Sequence, residues 1–262
     1  MTERLAGMKE QVYKDPRPAE YFDRFHHRAR TREPDIVYDI VRLVCSFLVW
    51  IVFRGRCIAS ENVPESGPVI LAPNHFSFMD HFFVGAFLRR RVRFMAKSQL
   101  FTPPLQFIYT HGGVFPVRRG HHDEEAVITA EQIIERGAAI VMYCEGGRQR
   151  SGHMAERARP GIGRLALETG VPVVPIAVYG SQKARNWKRL QFPKVTIQYG
   201  EPIRFERVEQ STREQQQAVA DEILADILQL YEQLERYGRR GMVQHMRRLR
   251  RTQRHGERAA TA

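Results

Sequence analysis

Apolar residues fall along this chain in two rhythms. Short continuous runs at residues 69–72, 92–96, 138–143, 173–179 and 195–199 read as buried strands. Between them the spacing opens to three and four. Residues 124–135 place Val127, Ala130, Ile133 and Ile134 on one helical face, and Gly137 stops the pattern. Residues 82–88 and 162–168 read as further helices, the second ended by Gly170. Residues 211–237 form a long amphipathic helix with Val219, Ile223, Ile227, Leu230 and Leu234 as its stripe. Strands alternating with helices predict an α/β fold with a mostly parallel central sheet flanked by helices.

Residues 36–53 carry a different pattern. They are interrupted only by Asp39, Arg42 and Ser46, which share one helical face, while Ile40, Val44, Phe47, Leu48 and Ile51 crowd the other. The uncharged part is eleven residues, 43–53, and a bilayer span needs about 20. The pattern predicts an amphipathic helix docked in a membrane interface, with Trp50 at headgroup depth and Arg54 and Arg56 beside phosphates. An ordinary helix covering the core is the other reading. Residues 1–34 mix charges with Pro16, Pro18 and Pro34 and read as a surface arm with short helices, and they show no secretory signal pattern. The tail from Gly238 is mostly arginine and is expected to fray. Three segments result: an arm and interface helix at 1–54, a catalytic domain at 55–210, and a C-terminal helix with an Arg-rich tail at 211–262.

Composition narrows the partners. The chain has 262 residues, 43% hydrophobic and 27% charged, which describes a globular protein with a sizeable core. Its net charge of +12 attracts nucleic acid, anionic membrane or a phosphorylated substrate. Cys45, Cys57 and Cys144 are scattered and lack paired spacing, which argues against a disulfide framework or a zinc site and fits a reducing cytoplasm.

Candidate chemistry starts at Asn74-His75-Phe76-Ser77-Phe78-Met79-Asp80. Positions five apart point about 140° away from each other in a continuous helix. His75 and Asp80 therefore meet only if the histidine sits on the strand-to-helix turn and the aspartate in the first helical turn, and both are expected at the surface. The carboxylate then holds one imidazole nitrogen and leaves the other to take a proton from a hydroxyl. Alone, this spacing also fits a structural histidine. Three further stretches follow: Gly112-Gly113-Val114-Phe115-Pro116-Val117-Arg118, then Tyr143-Cys144-Glu145-Gly146-Gly147-Arg148-Gln149-Arg150, then Val171-Pro172-Val173-Val174-Pro175-Ile176. Arg118, Arg148 and Arg150 offer planar forks for phosphate oxygens.

Four stretches in this order resemble the PlsC-type glycerolipid acyltransferase family, which includes the 1-acylglycerol-3-phosphate acyltransferases. The family's N-H-x-S-x-x-D is matched by Asn74, His75, Ser77 and Asp80, and its G-x-x-F-x-x-R by Gly112, Phe115 and Arg118. Its F-P-E-G-T-R-S is matched at Glu145, Gly146 and Arg148, with Cys144, Gly147 and Gln149 in place of proline, threonine and serine. Its V-P-V-x-P-V is matched by Val171, Pro172, Val173 and Pro175.

The resemblance implies transfer of a fatty acyl group from acyl-CoA or acyl-carrier protein to a phosphorylated lysolipid at the cytoplasmic face of a membrane. It implies no cofactor and no metal. His75 is then the general base and Asp80 its orienting partner. Arg118 and Arg148 hold the acceptor phosphate, Glu145 orders that site, and the backbone near Gly146 and Gly147 faces the oxyanion. Asn74, Ser77, Gly112, Phe115, Pro172 and Pro175 complete the substrate-binding set.

Rival readings are weaker. An H-x-H-x-D-H metal site needs a histidine where Ser77 stands, and a serine hydrolase needs a G-x-S-x-G elbow that is missing. His121 and His122 lie on a polar loop. The arginines of the tail suit phosphates, but no zinc-finger, RNP or Walker motif accompanies them, so anionic lipid is the expected partner and nucleic acid is not. An acyltransferase for another acceptor, and a non-catalytic basic binding protein, are the alternatives.

Overall fold

The structure, a computed structural model, describes residues 14–121, 123–149, 151–185 and 192–260. His122 and Arg150 lie outside the described residues, as do residues 1–13 of the predicted arm.

The described residues form one sheet of seven strands: β1 (Arg56–Ile58), β2 (Val69–Pro73), β3 (Val92–Lys97), β4 (Val114–Val117), β5 (Ala139–Val141), β6 (Val173–Tyr179) and β7 (Thr196–Tyr199). Their spatial order is β1-β7-β6-β2-β5-β3-β4. All neighbours pair parallel except β6 and β7, so five strands run one way and β7 and β1 the other. The expected mostly parallel sheet is present. The central strands β2 and β5 are buried along their whole length, which explains why they read as continuous apolar runs rather than alternating ones.

Both faces are covered. The helices are α1 (Asp23–Thr31), α2 (Ile36–Ile51), α3 (Asp80–Ala86), α4 (Leu105–His111), α5 (Glu124–Glu135), α6 (Pro160–Thr169) and α7 (Arg213–Ala260). Successive strand side chains alternate between layers. Ile70, Ala72, Ile140 and Val173 pack with α5, α6 and α7, while Val69, Leu71, Val141 and Val174 pack with α2 and α3.

Two expectations change. The segment before α2 does not lie loose on the surface. Phe22 and Phe25 pack on Phe101, and Arg17 donates to the carbonyls of Phe101 and Ser98 at 2.7 Å each. The tail does not fray at Gly238 either. That residue takes φ +62° and breaks α7, but the helix resumes and buries Met242 against Ile58, Phe76 and Ala177. Met242 and Val243, four and three residues before Met246, supply with it the buried edge that an arginine count conceals.

The two helices covering one face meet at a glycine. A Cβ on Gly163 of α6 would lie 1.8 Å from the carbonyl oxygen of Gln216 in α7. Alanine is the better helix former by about 1 kcal/mol, but this contact is with backbone and cannot be relieved by a rotamer. Gly163→Ala should therefore destabilise the fold by about 1–3 kcal/mol. Urea unfolding measures it, and a variant as stable as wild type would show that α6 and α7 separate freely.

Candidate active site

The parallel strands β2, β3, β4 and β5 all end at the same edge of the sheet, and the chemistry-bearing loops leave from there. After Pro73 the chain turns and enters α3 at Asp80, which is the arrangement the His75–Asp80 spacing requires.

Asp80 organises that turn. Its Oδ2 accepts the Phe76 and Ser77 N–H groups at 2.7 Å each and faces His75 Nδ1 at 2.9 Å. Two of those partners are fixed donors, so Oδ2 is an acceptor and the shared proton sits on Nδ1. His75 Nε2 is left as the basic nitrogen. Asp80 is fully buried rather than exposed on a surface turn, and its Oδ1 has no hydrogen-bond partner. The His75 ring is stacked on Tyr143, with centroids 4.0 Å apart and planes at 22°.

The loop after β5 is sewn to the same turn. Glu145 Oε1 accepts the His75 N–H at 2.8 Å, Oε2 accepts from Ala155 N–H at 3.4 Å, and Gln149 N–H donates to the His75 carbonyl at 2.8 Å. Gly146 takes φ +65°, which lets the loop double back, and its N–H donates to the Tyr143 carbonyl at 3.1 Å. Burial raises the Glu145 carboxyl from 4.5 to about 7, against the two N–H donors that favour its ionised form.

A cavity of about 510 Å³ opens beside His75. Its roof is α2, through Tyr38, Val41, Arg42 and Cys45, and its walls are α3, β3 and α4, largely apolar through Phe78, Phe82, Phe94, Leu100 and Ile108. At the polar end stand His75, Lys97, Arg119, Tyr143 and Arg148. His81 also lines it, and burial pushes its imidazole down to about 3, with His75 and Arg148 adding to that.

The expected site residues therefore divide. His75, Gly112 and Arg148 line the cavity. Asn74 and Ser77 shape the turn: the Asn74 carboxamide bonds Val178 N–H at 2.7 Å and Val178 carbonyl at 3.3 Å, and Ser77 Oγ accepts from Met79 N–H at 3.2 Å. Phe115 is buried in the core. Pro172 and Pro175 sit at and within β6, where their carbonyls accept from Ile70 and Gly200. Arg118 is turned away from the cavity, donating to the Arg17 carbonyl at 3.1 Å with its guanidinium 6.0 Å from the Phe22 ring centre. Sequence reasoning passed over the stacking role of Tyr143 and the cavity positions of Lys97 and Arg119. Among the described residues no three His, Cys, Asp or Glu side chains form a group that could hold a metal.

The comparisons with known proteins fit this geometry. The family model described as Acyltransferase matches residues 54–179. A chloroplastic 1-acyl-sn-glycerol-3-phosphate acyltransferase of Brassica napus is 26% identical over 167 residues, covering 62% of this chain and 45% of the relative. Over residues 54–179 the chain is thus similar to the family described as Acyltransferase. The human 1-acyl-sn-glycerol-3-phosphate acyltransferase beta is 28% identical over 166 residues, covering 61% of this chain and 59% of that protein. The chain thus spans about half the length of the curated relatives it matches. Its fold is that of the PlsC crystal structure from Thermotoga maritima, with a TM-score of 0.57 at 22% identity over 80% of this chain and 88% of that one.

Glu145 generates a pH prediction. Its carboxyl titrates at about 7 in the fold and at about 4.5 in the unfolded chain, so the native state holds the proton more tightly between those values. Its cost to stability is absent below 4.5, grows as pH rises toward 7 and is constant above. At about 1.4 kcal/mol per pH unit, that cost is on the order of 3 kcal/mol. Glu145→Gln keeps an oxygen for the His75 N–H and removes the titration. Denaturant unfolding of both proteins from pH 4 to 8 should show the variant gaining on wild type through this window, and parallel curves would refute it.

Proposed function

We propose that this acyltransferase moves a fatty acyl group from acyl-CoA or acyl-carrier protein to the free hydroxyl of a phosphorylated lysolipid, 1-acylglycerol-3-phosphate, producing phosphatidate. One observation carries the reading: a histidine oriented by a buried carboxylate opens onto a cavity that is apolar along its length and basic at the catalytic end. The relatives' names support the acceptor.

In this reading His75 Nε2 takes the proton of the acceptor hydroxyl while its oxygen attacks the thioester carbonyl. Asp80 stabilises the imidazolium that results. The tetrahedral oxyanion forms beside the Gly147 backbone, and Arg148 faces the acceptor phosphate. Collapse expels the thiolate, which recovers the proton from His75, so the enzyme ends as it began. The acyl chain lies along the apolar walls, Glu145 ties the β5 loop to the catalytic turn, and Arg118 anchors the end of β4 next to the phosphate site.

The enzyme reaches its lipid from the cytoplasmic membrane surface through α2. No described helix is long and apolar enough to cross a membrane. The polar residues of α2 face the protein: Ser46 Oγ donates to the Ala86 carbonyl at 3.0 Å, and Asp39 pairs with Arg91. Its apolar residues face outward, with Leu43, Phe47 and Trp50 exposed by 73%, 58% and 65%. Exposed Phe107 and Ile108 extend that surface onto α4, which packs beside α2. A contiguous apolar face of this extent is the mark of an interaction surface, and exposed Arg54, Arg56, Arg240, Arg247 and Arg248 supply charges that suit anionic headgroups.

Two experiments test these readings. His75→Ala should reduce acyl transfer by about 10²–10⁴-fold in a protein that still unfolds cooperatively, since the ring borders the cavity and Asp80 Oδ2 keeps its two backbone donors. Wild-type turnover in that variant removes the mechanism. Replacing Phe47, Trp50 and Ile51 with serine should weaken co-sedimentation with neutral and anionic liposomes alike, at about 25 cal/mol for each Å² of apolar surface that lipid no longer covers. Replacing Arg240, Arg247 and Arg248 with glutamine should remove only the salt-sensitive preference for anionic lipid. Undiminished binding of the serine variant to neutral liposomes rules out docking through α2.

A further inference from the structure

Among the described residues, the cavity beside His75 is lined by four cations, Arg42, Lys97, Arg119 and Arg148, and by no aspartate or glutamate. Arg42 is held in the roof, where it reaches the Leu88 carbonyl. Arg119 enters from the loop after β4, immediately following the motif arginine Arg118, which turns away toward Arg17. The Arg119 guanidinium lies against Gly147. An ideal Cβ at Gly147 would lie 3.3 Å from Arg119 Nη1. The backbone does not demand glycine there, because Gly147 does not share the positive φ of its neighbour Gly146. What a side chain at 147 would meet is the guanidinium. A threonine, the residue the family's third motif carries at this position, would press its Cβ against the Arg119 guanidinium, which would have to give by a few tenths of an ångström.

The site also says which phosphate is in reach. Arg119 and His75 line the same cavity, and the loop that carries Gly147 is bonded to the His75 backbone through Glu145 at 2.8 Å. In a 1-acylglycerol 3-phosphate the attacked hydroxyl and the phosphomonoester are on adjacent carbons. The phosphates of CoA are separated from its thioester by the whole pantetheine arm. A phosphomonoester carries up to two charges and three terminal oxygens, which suits two guanidinium forks better than one.

We infer that Arg119, admitted by the missing side chain of Gly147, is a specificity-determining residue that reads the acceptor phosphomonoester together with Arg148. The inference rests on the acyl-transfer reading above and adds to it a pair, Arg119 with Gly147, that sets headgroup preference.

The test is steady-state kinetics of the full chain on lysophosphatidate with acyl-CoA and with acyl-carrier protein, alongside equilibrium binding of lysophosphatidate without a donor. Arg119→Ala should raise the acceptor KM and Kd about tenfold or more, with kcat within a few-fold and the donor KM unchanged. Arg119→Lys, a point charge without the fork, should recover part of the loss. Gly147→Thr should raise the same KM, and R119A/G147T should be no worse than R119A, because nothing remains to be displaced. Unchanged acceptor KM and Kd in a folded R119A protein overturns the inference, and so does a loss confined to acyl-CoA. Additive losses in the double variant overturn the pairing. Wild-type protein that binds lysophosphatidate through Arg119 yet transfers no acyl group from either donor overturns the acyl-transfer reading and leaves the inference standing.

Discussion

One carboxylate oxygen, Oδ2 of Asp80, holds the site together. Three partners converge on it, two backbone N–H groups and the His75 imidazole. Burying a carboxylate is costly unless hydrogen bonds compensate, and here the compensation is the turn that carries His75. Position at the first turn of α3 adds the favourable end of a helix dipole. The same turn then recruits the β5 loop through Glu145 and Gln149. Removing that oxygen would leave two backbone donors unmet and the imidazole unaimed, so orientation and local folding are a single property here.

Much of the fold was legible because its signals are local. The β6 strand and the α5 helix occupy the predicted residues, 173–179 and 124–135, since each is a long uninterrupted pattern with a clear stop. The β1 strand is three residues at an edge, with an exposed-to-buried gradient too short to carry a period. The α4 helix buries none of its residues fully, so it has no stripe to read. In the site, the His75–Asp80 pairing followed from spacing because both residues share one turn. Arg119 was not readable. Whether Arg118 or Arg119 enters the cavity depends on how the chain leaves β4, and that is decided by Arg17 and Phe22, about a hundred residues earlier.

Pattern also showed that α2 is amphipathic without showing which side is inside. The structure answers with polar groups inward, because Ser46 and Asp39 find partners on α3 and on the loop before β3. Tyr38 adds an inward anchor, its hydroxyl accepting from Val92 N–H at 3.1 Å. The helix thereby serves two surfaces at once. One side roofs the cavity, and the other presents the apolar residues that a globular core would have hidden.

The contact between Gly163 and Gln216 has a consequence for how this sequence can drift. The atom that a Cβ would strike is a main-chain oxygen, so every residue type at 216 presents the same obstacle. No compensating substitution at the partner position exists. Relief would require the α7 axis to move, and with it Ile223 and Ile227, which are fully buried against the sheet. The pair is therefore coupled in space yet silent in covariation. One member would be held as glycine while the other varies freely, and only the three-dimensional contact reveals why.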